Sequence, residues 1–471
     1  MKRIIIASMA FIIAVTTVAQ DNTLPKVDER IELTGVVFRL AGIPEYSAGE
    51  DEEYNNDIDE YFKKYQDDRL IEYIKQLRKE NALGYAAVAA SSLHLEISDG
   101  NVIVCPYKDV STLAGIGGQW KDEKVFKKYV RLLDDFYKRS DFHTFFIEHK
   151  DTYDRYVKSA SSLTSMINPQ FFNDFYEIEF VWPDIYVAVN NGKSNYFIGD
   201  LDDQNNYSII IGGRKAYIIE NMLPVIIHEI CHNYSNPICT SFWGELQEVF
   251  DIFLSDTEVA DKLASIGYKD KFVIALEWFT NLCTAMYLEE NIPLLTQYYV
   301  SRLRDNGYIW MPRCVNFMGY FRENRKHYST IQDFMPQLVL AMDEIAKNYD
   351  KVKSESVRRP YITDIYPANG SDISKFKGDA ITIRFSEDMS LYSFAIGENS
   401  DISDGAKVIP RKGEPIWRDS RNFQIPVDTT AIKRGKEYYL YIGSQGFVTP
   451  DYRSMEDGYI ITYSNGKSDS E

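Results

Sequence analysis

Five consecutive residues, His228-Glu229-Ile230-Cys231-His232, constrain this chain more than any other stretch. A helix turns by about 100° per residue, so His228 and His232 stand one turn apart on one face. Both imidazoles can then reach a single Zn²⁺, while Glu229 points beside it and is placed to take a proton from water. The chain holds only six His, so this spacing is a specific signal. Any fold containing it needs a helix through 228–232 whose polar face opens on a cleft. That is the donor arrangement of a metal-dependent hydrolase.

Two imidazoles are one ligand short, because catalytic zinc usually takes three from the protein and keeps a position for water. The downstream carboxylates are Glu245, Glu248 and Glu277; His327 is remote and alone. Phe242 to Phe253 reads as a helix with an apolar stripe of Phe242, Leu246, Val249, Phe250 and Phe253. Glu248 points well away from that stripe and Glu245 flanks it, so both read as solvated. The segment from about Lys271 to Glu289 differs. It is apolar round most of its circumference, with one polar stripe of Asp270, Glu277, Thr280, Asn281 and Thr284. Such a stripe must face water or a polar cleft. The need for a third ligand favours the cleft and selects Glu277, with Asn281 one turn on as a supporting hydrogen-bond partner.

The N-terminus reads as a secretory leader over residues 1–19. Lys2-Arg3 precede an apolar run from Ile4 to Ala14, and Thr17-Val18-Ala19 ends in a small residue before Gln20-Asp21. The run is short for a membrane span, and no Cys stands at the cleavage point, against a lipoprotein. A secreted or periplasmic protein, with no membrane span once the leader is removed, is the expectation. Without Lys2 and Arg3, 50 basic side chains face 70 acidic ones, which repels nucleic acid and anionic membranes. Five Cys is an odd number, so at least one thiol stays unpaired in a monomer, and their apolar settings suit free buried thiols at least as well as bridges.

Leu33 to Leu40 reads as a strand, and Glu50 to Glu60 as a loop or helix start. Tyr61 to Leu83 and Val125 to Tyr137 show helical spacing. Residues 20–195 are therefore expected to be a largely helical part, and 196–355 the metal-site part. Strands are expected within Tyr176 to Val189 and at Tyr207 to Gly213, followed by a motif helix that ends at Asn236-Pro237. Beyond Ser354 to Arg359 the composition changes. Short β-rich runs at Tyr361–Ile365, Ala380–Phe385, Phe423–Val427, Tyr438–Ile442 and Tyr459–Tyr463 alternate with turns. Residues 357–465 accordingly read as a separate all-β sandwich, with a disordered tail at 466–471. The expected fold class is an α+β catalytic domain, mostly helical with a small sheet, over 20–355, followed by that sandwich.

His228-Glu229-x-x-His232 followed by Glu277-x-x-x-Asn281 resembles the gluzincin metallopeptidases, whose third zinc ligand is a helical Glu. Tyr207 to Gly213 looks like the edge strand along which those enzymes bind an extended substrate. Several segments also resemble an uncharacterised domain family of secreted bacterial proteins. They are Ile31-Glu32-Leu33 through Phe38-Arg39-Leu40-Ala41, the HExxHxxxNP run from His228 to Pro237, Glu277, and Gly307-Tyr308-Ile309-Trp310 with Tyr320, Asn324-Arg325 and Tyr328. The chain departs from the gluzincin pattern in two places. The 45 residues from His232 to Glu277 require an inserted helix, and Asn281 stands where an aspartate is common. Asp364 to Gly370 and Ile383 to Met389 resemble a bacterial immunoglobulin-like domain. The resemblance implies a zinc-dependent peptidase with Glu229 as general base and a peptide or protein as substrate. His327, Tyr328 and Tyr320 stand open as stabilisers of the oxyanion. The rivals are a non-catalytic binding or adhesion protein on the same scaffold, and a zinc hydrolase of a non-peptide bond.

Overall fold

The computed structural model describes residues 24–466 and Ile4–Ile5, except 114, 201–202, 215–216, 377 and 398–405. The expected leader, apart from Ile4–Ile5, and the tail from residue 467 lie outside the described residues. The fold is mixed α/β, about 53% helical, with several small sheets. It divides into two compact units, one spanning Val15–Pro237 and one carrying Ile238–Glu471.

The first unit opens on a correction. Glu29–Leu40, expected as a strand over Leu33 to Leu40, is a helix. The Asp28 side chain accepts from the Arg30 N–H at its start, Glu29 and Glu32 lie in its first turn and Arg39 in its last. Those are the charges that a helix dipole favours at each end. Leu33, Val36, Val37 and Phe38 are fully buried. An apolar run buried all round has no period to separate helix from strand; the cap at Asp28 was the deciding signal. The acidic segment forms a helix, Glu52–Tyr61, capped by Asp51. Arg69–Asn81 and Glu123–Ser140 follow as helices, the second burying Phe126, Tyr129, Leu133 and Phe136 as its spacing predicts.

A three-stranded sheet precedes the motif helix. Its order is Asp184–Ala188, Asp203–Gly212, Tyr196–Asp200. Asp203–Gly212 pairs parallel with the first of these and antiparallel with the last. It is therefore the central strand, not the edge strand expected at Tyr207 to Gly213. Burial explains the placement: Ile209, Ile210 and Ile211 are at most 1% exposed, a continuous run that only a strand covered on both faces tolerates. Asp184–Ala188 is further covered by a bridge between Lys26 and Tyr186. Ile210, Tyr186 and Ala188 share a core with Ile31, Ala89 and Leu93.

The second unit runs through helices Trp243–Leu254, Thr257–Ser265, Lys271–Asn291, Pro293–Asp305, Met311–Glu323, Ile331–Lys347 and Tyr349–Ser356. Strands begin at Ile362, where the composition shifts. One antiparallel sheet has the order Ile416–Asp419, Asn422–Pro426, Ala380–Phe385, Ile362–Tyr366. In the other, Glu437–Ile442 pairs antiparallel with Tyr459–Ser464 and with Ile396–Gly397, and parallel with Lys407–Val408. Ile381, Ile383, Phe423 and Ile425 of the first sheet share one core with Leu440, Ile442, Ile461 and Tyr463 of the second. None of the five Cys forms a disulfide, and four of them are buried. Among the described residues no helix is long and apolar enough to cross a membrane.

Candidate metal centre

The motif lies on a 23-residue helix, Ile219–Ser241, which retains both Pro224 and Pro237. It does not stop at Asn236-Pro237 as expected. Proline keeps a helical φ but forfeits the bond its N–H would have made to the carbonyl four residues back and crowds that carbonyl with its ring. Ile238 and Cys239, just beyond, are 6% and 0% exposed, and the Cys239 thiol donates to the Ala275 carbonyl at 3.5 Å. Burial of those two side chains offsets the lost bond. The same helix is anchored by Tyr234, whose hydroxyl accepts from the Val181 N–H at 3.0 Å.

His228 and His232 project from one face, with ring centroids 4.6 Å apart. Their Nε2 atoms face each other at 3.1 Å. His232 Nδ1 lies 3.1 Å from Asn236 Oδ1. A carbonyl oxygen only accepts, so this contact places the His232 proton on Nδ1 and leaves an Nε2 lone pair for a cation. The Phe197 ring lies 5.8 Å from the His232 ring and walls it on one side. Glu229 is 7% exposed, within the helix and between the two imidazoles in sequence.

Glu277 stands on the helix Lys271–Asn291, capped by the Asp270 carboxylate accepting from the Val273 N–H. Asp270 thus belongs to the cap and not to the polar stripe. The rest of the stripe is not solvent-facing: Thr280, Asn281 and Thr284 are buried and Glu277 is half-buried. One ligand atom each from His228, His232 and Glu277 falls within 4.8 Å of the other two. Glu245 and Glu248 are exposed, which leaves Glu277 as the carboxylate gathered with the two imidazoles.

The donor set fits zinc. Bonds of about 2.0–2.1 Å at tetrahedral angles put ligand atoms roughly 3.3 Å apart, close to the separation of the two imidazole nitrogens. Two nitrogens and one carboxylate oxygen are also the mixed hard and borderline donors that Zn²⁺ takes when a fourth position stays open.

Two residues that the sequence reading did not single out bond to this polar stripe, one of them to a candidate ligand. Tyr268 donates its hydroxyl to Glu277 Oε2 at 3.1 Å, and Tyr299 donates to Asn281 Oδ1 at 2.6 Å. Asn281 is thereby tied to the next helix, Pro293–Asp305, which carries Tyr299. No sequence signal marks Tyr268 or Tyr299 among 34 Tyr. Asn236 was readable in principle, being one turn after His232 on the same helix. Tyr308 is buried, and burial followed by the Glu277 charge pushes its phenol well above the ordinary range. Burial likewise raises Tyr196, with a smaller contribution from Glu229, which sets that strand within electrostatic reach of the motif. Tyr320 and Tyr328 pack at tilted angles against one another and with Phe334 in an aromatic cluster, and His327 is exposed.

No family model matches the chain, and no curated protein matches it. Solved structures that it partly resembles are of the bacterial S-layer protein SbsC. A crystal structure of rSbsC(31-844) shares 11% identity over 52% of this chain and 34% of that one, at a TM-score of 0.16. A structure of its domains 1–6 shares 12% identity over 53% and 34%, at a TM-score of 0.15. The chain thus spans about a third of the length of these structures, at TM-scores too low to indicate a common fold.

Proposed function

We propose that this protein is a secreted zinc-dependent metallopeptidase of gluzincin-like architecture, its second unit ending in an immunoglobulin-like sandwich. The observation that carries the reading is the convergence of His228, His232 and Glu277 to within 4.8 Å, with Glu229 inside the same helical turn. The paired sheets around one core over 362–464 support the sandwich.

A zinc ion held there would act as a Lewis acid and make water nucleophilic near neutral pH. His228, His232 and Glu277 would hold it, and Asn236 and Tyr268 fix the orientation of two of the three. The Glu229 carboxylate accepts the proton from the attacking water and returns it to the leaving amine nitrogen. Its near-complete burial keeps bulk water from competing for that proton. The extended substrate aligns with Tyr196–Asp200, the antiparallel strand at the open edge of the three-stranded sheet, whose Phe197 packs on His232. Strand addition there provides backbone hydrogen bonds that tolerate varied side chains.

The test is metal content and peptide hydrolysis of the wild type beside Glu277→Ala and Glu229→Gln. About one zinc per chain, lost under mild chelation in Glu277→Ala, together with peptide cleavage lost in Glu229→Gln, is expected. A full zinc site with no cleavage of any peptide mixture would favour the non-catalytic scaffold, and cleavage of acetylated sugars alone would favour a non-peptide hydrolase.

A further inference from the structure

Within the second unit, the C-terminal sheets grip the helices through one loop. Between strands Glu437–Ile442 and Tyr459–Ser464, residues 449–454 fold tightly on themselves. The Thr449 N–H donates to the Arg453 carbonyl, and the Arg453 N–H donates to the Thr449 hydroxyl, both at 2.9 Å. Inside this loop Tyr452 is 5% exposed and stands at φ 65°, a left-handed conformation that a bulky side chain rarely takes. Such a residue persists where its surroundings over-determine it.

Those surroundings are three helices. The Tyr452 carbonyl accepts from the buried Arg304 guanidinium, on helix Pro293–Asp305, at 3.3 Å. Beside it the Ser454 hydroxyl donates to Asp305 at 2.9 Å and accepts from Arg359 at 3.2 Å. The Tyr452 phenol is pushed up to about 12, first by burial and then by the Glu289 charge, with Arg322 acting against it. Glu289 belongs to helix Lys271–Asn291 and pairs with Arg322 of helix Met311–Glu323 at 2.5 Å. Helix Pro293–Asp305 touches both the C-terminal sheets and the helix that carries Glu277. Towards the sheets, Tyr298 reaches Gln445 at 3.5 Å and Arg304 reaches Tyr452. Towards the other helix, Tyr299 donates at 2.6 Å to Asn281, one turn beyond Glu277.

We infer that Tyr452 is a positioning residue for the metal centre. With its ring seated, the C-terminal sheets fix the place of helix Pro293–Asp305, and the bond from Tyr299 to Asn281 passes that place on to the turn presenting Glu277. Packed helices hold discrete arrangements and do not deform continuously, so loss of the ring shifts the helix as a body. The inference rests on the zinc reading of His228, His232 and Glu277. It gives the C-terminal sheets a part in the architecture of the site beyond that of a spacer.

The test compares full-length proteins by chelator competition for Zn²⁺ and by the visible absorption of the Co²⁺-substituted form, which reports ligand geometry. Tyr452→Ala is expected to weaken zinc about two- to thirtyfold and to shift the Co²⁺ bands. Tyr452→Phe keeps the ring and should restore both. Ile425→Val, in the core between the C-terminal sheets, should lower the melting temperature and leave zinc affinity unchanged, which separates positioning from general loss of stability. Tyr299→Phe removes only the donor to Asn281 and should weaken zinc to a similar degree, with the double variant no weaker than either single one. Wild type that binds no zinc would remove the metal reading and the inference together. Zinc bound by wild type, with equal affinity and equal Co²⁺ spectra in Tyr452→Ala, or in Tyr299→Phe where Tyr452→Ala does not fold, would overturn the inference alone. An equal loss of zinc in Ile425→Val would do the same.

Discussion

A single side chain decides which nitrogen of His232 is available. Because Asn236 Oδ1 can only accept, it holds the proton on Nδ1, and Asn236→Ala should weaken zinc about 10–100-fold in a chelator competition. The mutant should melt nearly as the wild type does, since Asn236 is only half-buried. Glu229→Gln should keep zinc content and melting temperature yet lose roughly 10²–10⁴ in peptide turnover, or more, because the nearly isosteric amide accepts no proton. Glu32 gives a pH signature unrelated to the metal. It is fully buried, accepts from the Tyr54 hydroxyl at 2.8 Å and the Val189 N–H at 2.6 Å, and burial raises its carboxyl to about 7. The unfolded chain releases this proton near 4.5, so between 4.5 and 7 the folded state binds the extra proton. This group's contribution is full below about 4.5 and falls by about 1.4 kcal/mol per pH unit until pH 7. Unfolding titrations should therefore show a wild-type slope over that range that Glu32→Gln lacks; parallel pH profiles would refute it.

Among the elements, the end of the central strand at Gly213 passes close against the backbone of Val189. A Cβ on Gly213 would lie 2.5 Å from the Val189 carbonyl oxygen and 2.7 Å from the Val189 Cα. Backbone cannot yield as a flexible side chain does, so Gly213→Ala should cost about 1–3 kcal/mol. Lower zinc occupancy should accompany the lower melting temperature, as the strand that feeds the motif helix is displaced. The same scale shows where periodicity is legible. Glu123–Ser140 has one wet face and one dry face, and its pattern predicts it. Glu29–Leu40 is buried round its whole central turn, so its run of Leu, Val and Phe resembles a strand until the cap at Asp28 is weighed. Pro237 misleads for a related reason: local cost argued for a stop, and burial of Ile238 and Cys239 outweighed it.

Across the molecule, the passage from helices to strands at Ser356–Ile362 is where composition marks a boundary. The backbone there is held by Arg304 at Ser356 and by Arg359 on Asp305, while Val357 and Tyr361 are exposed. Limited trypsin digestion should cut between Lys353 and Arg359 and leave two stable fragments if residues from 357 onward fold alone. Arg304→Met should speed that cut several-fold by freeing the Ser356 carbonyl. A chain resistant there in both forms would mean that the helices and strands unfold together. By itself the sequence determined the motif helix, its two imidazoles and the carboxylate between them, because a one-turn spacing is a local property of any helix. It also placed five of the C-terminal strands to within a residue or two, since a half-buried strand writes its period into the chain, but not the strands Ile396–Gly397, Lys407–Val408 and Ile416–Asp419. It pointed to Glu277 by elimination, from an apolar helix with one polar stripe. Only the tertiary structure decided that Thr280, Asn281 and Thr284 lie buried, that Tyr268 and Tyr299 serve that stripe, and that Asp203–Gly212 is central and Tyr196–Asp200 the edge. Those facts depend on which distant segments cover a face, and no residue records locally what will be packed against it.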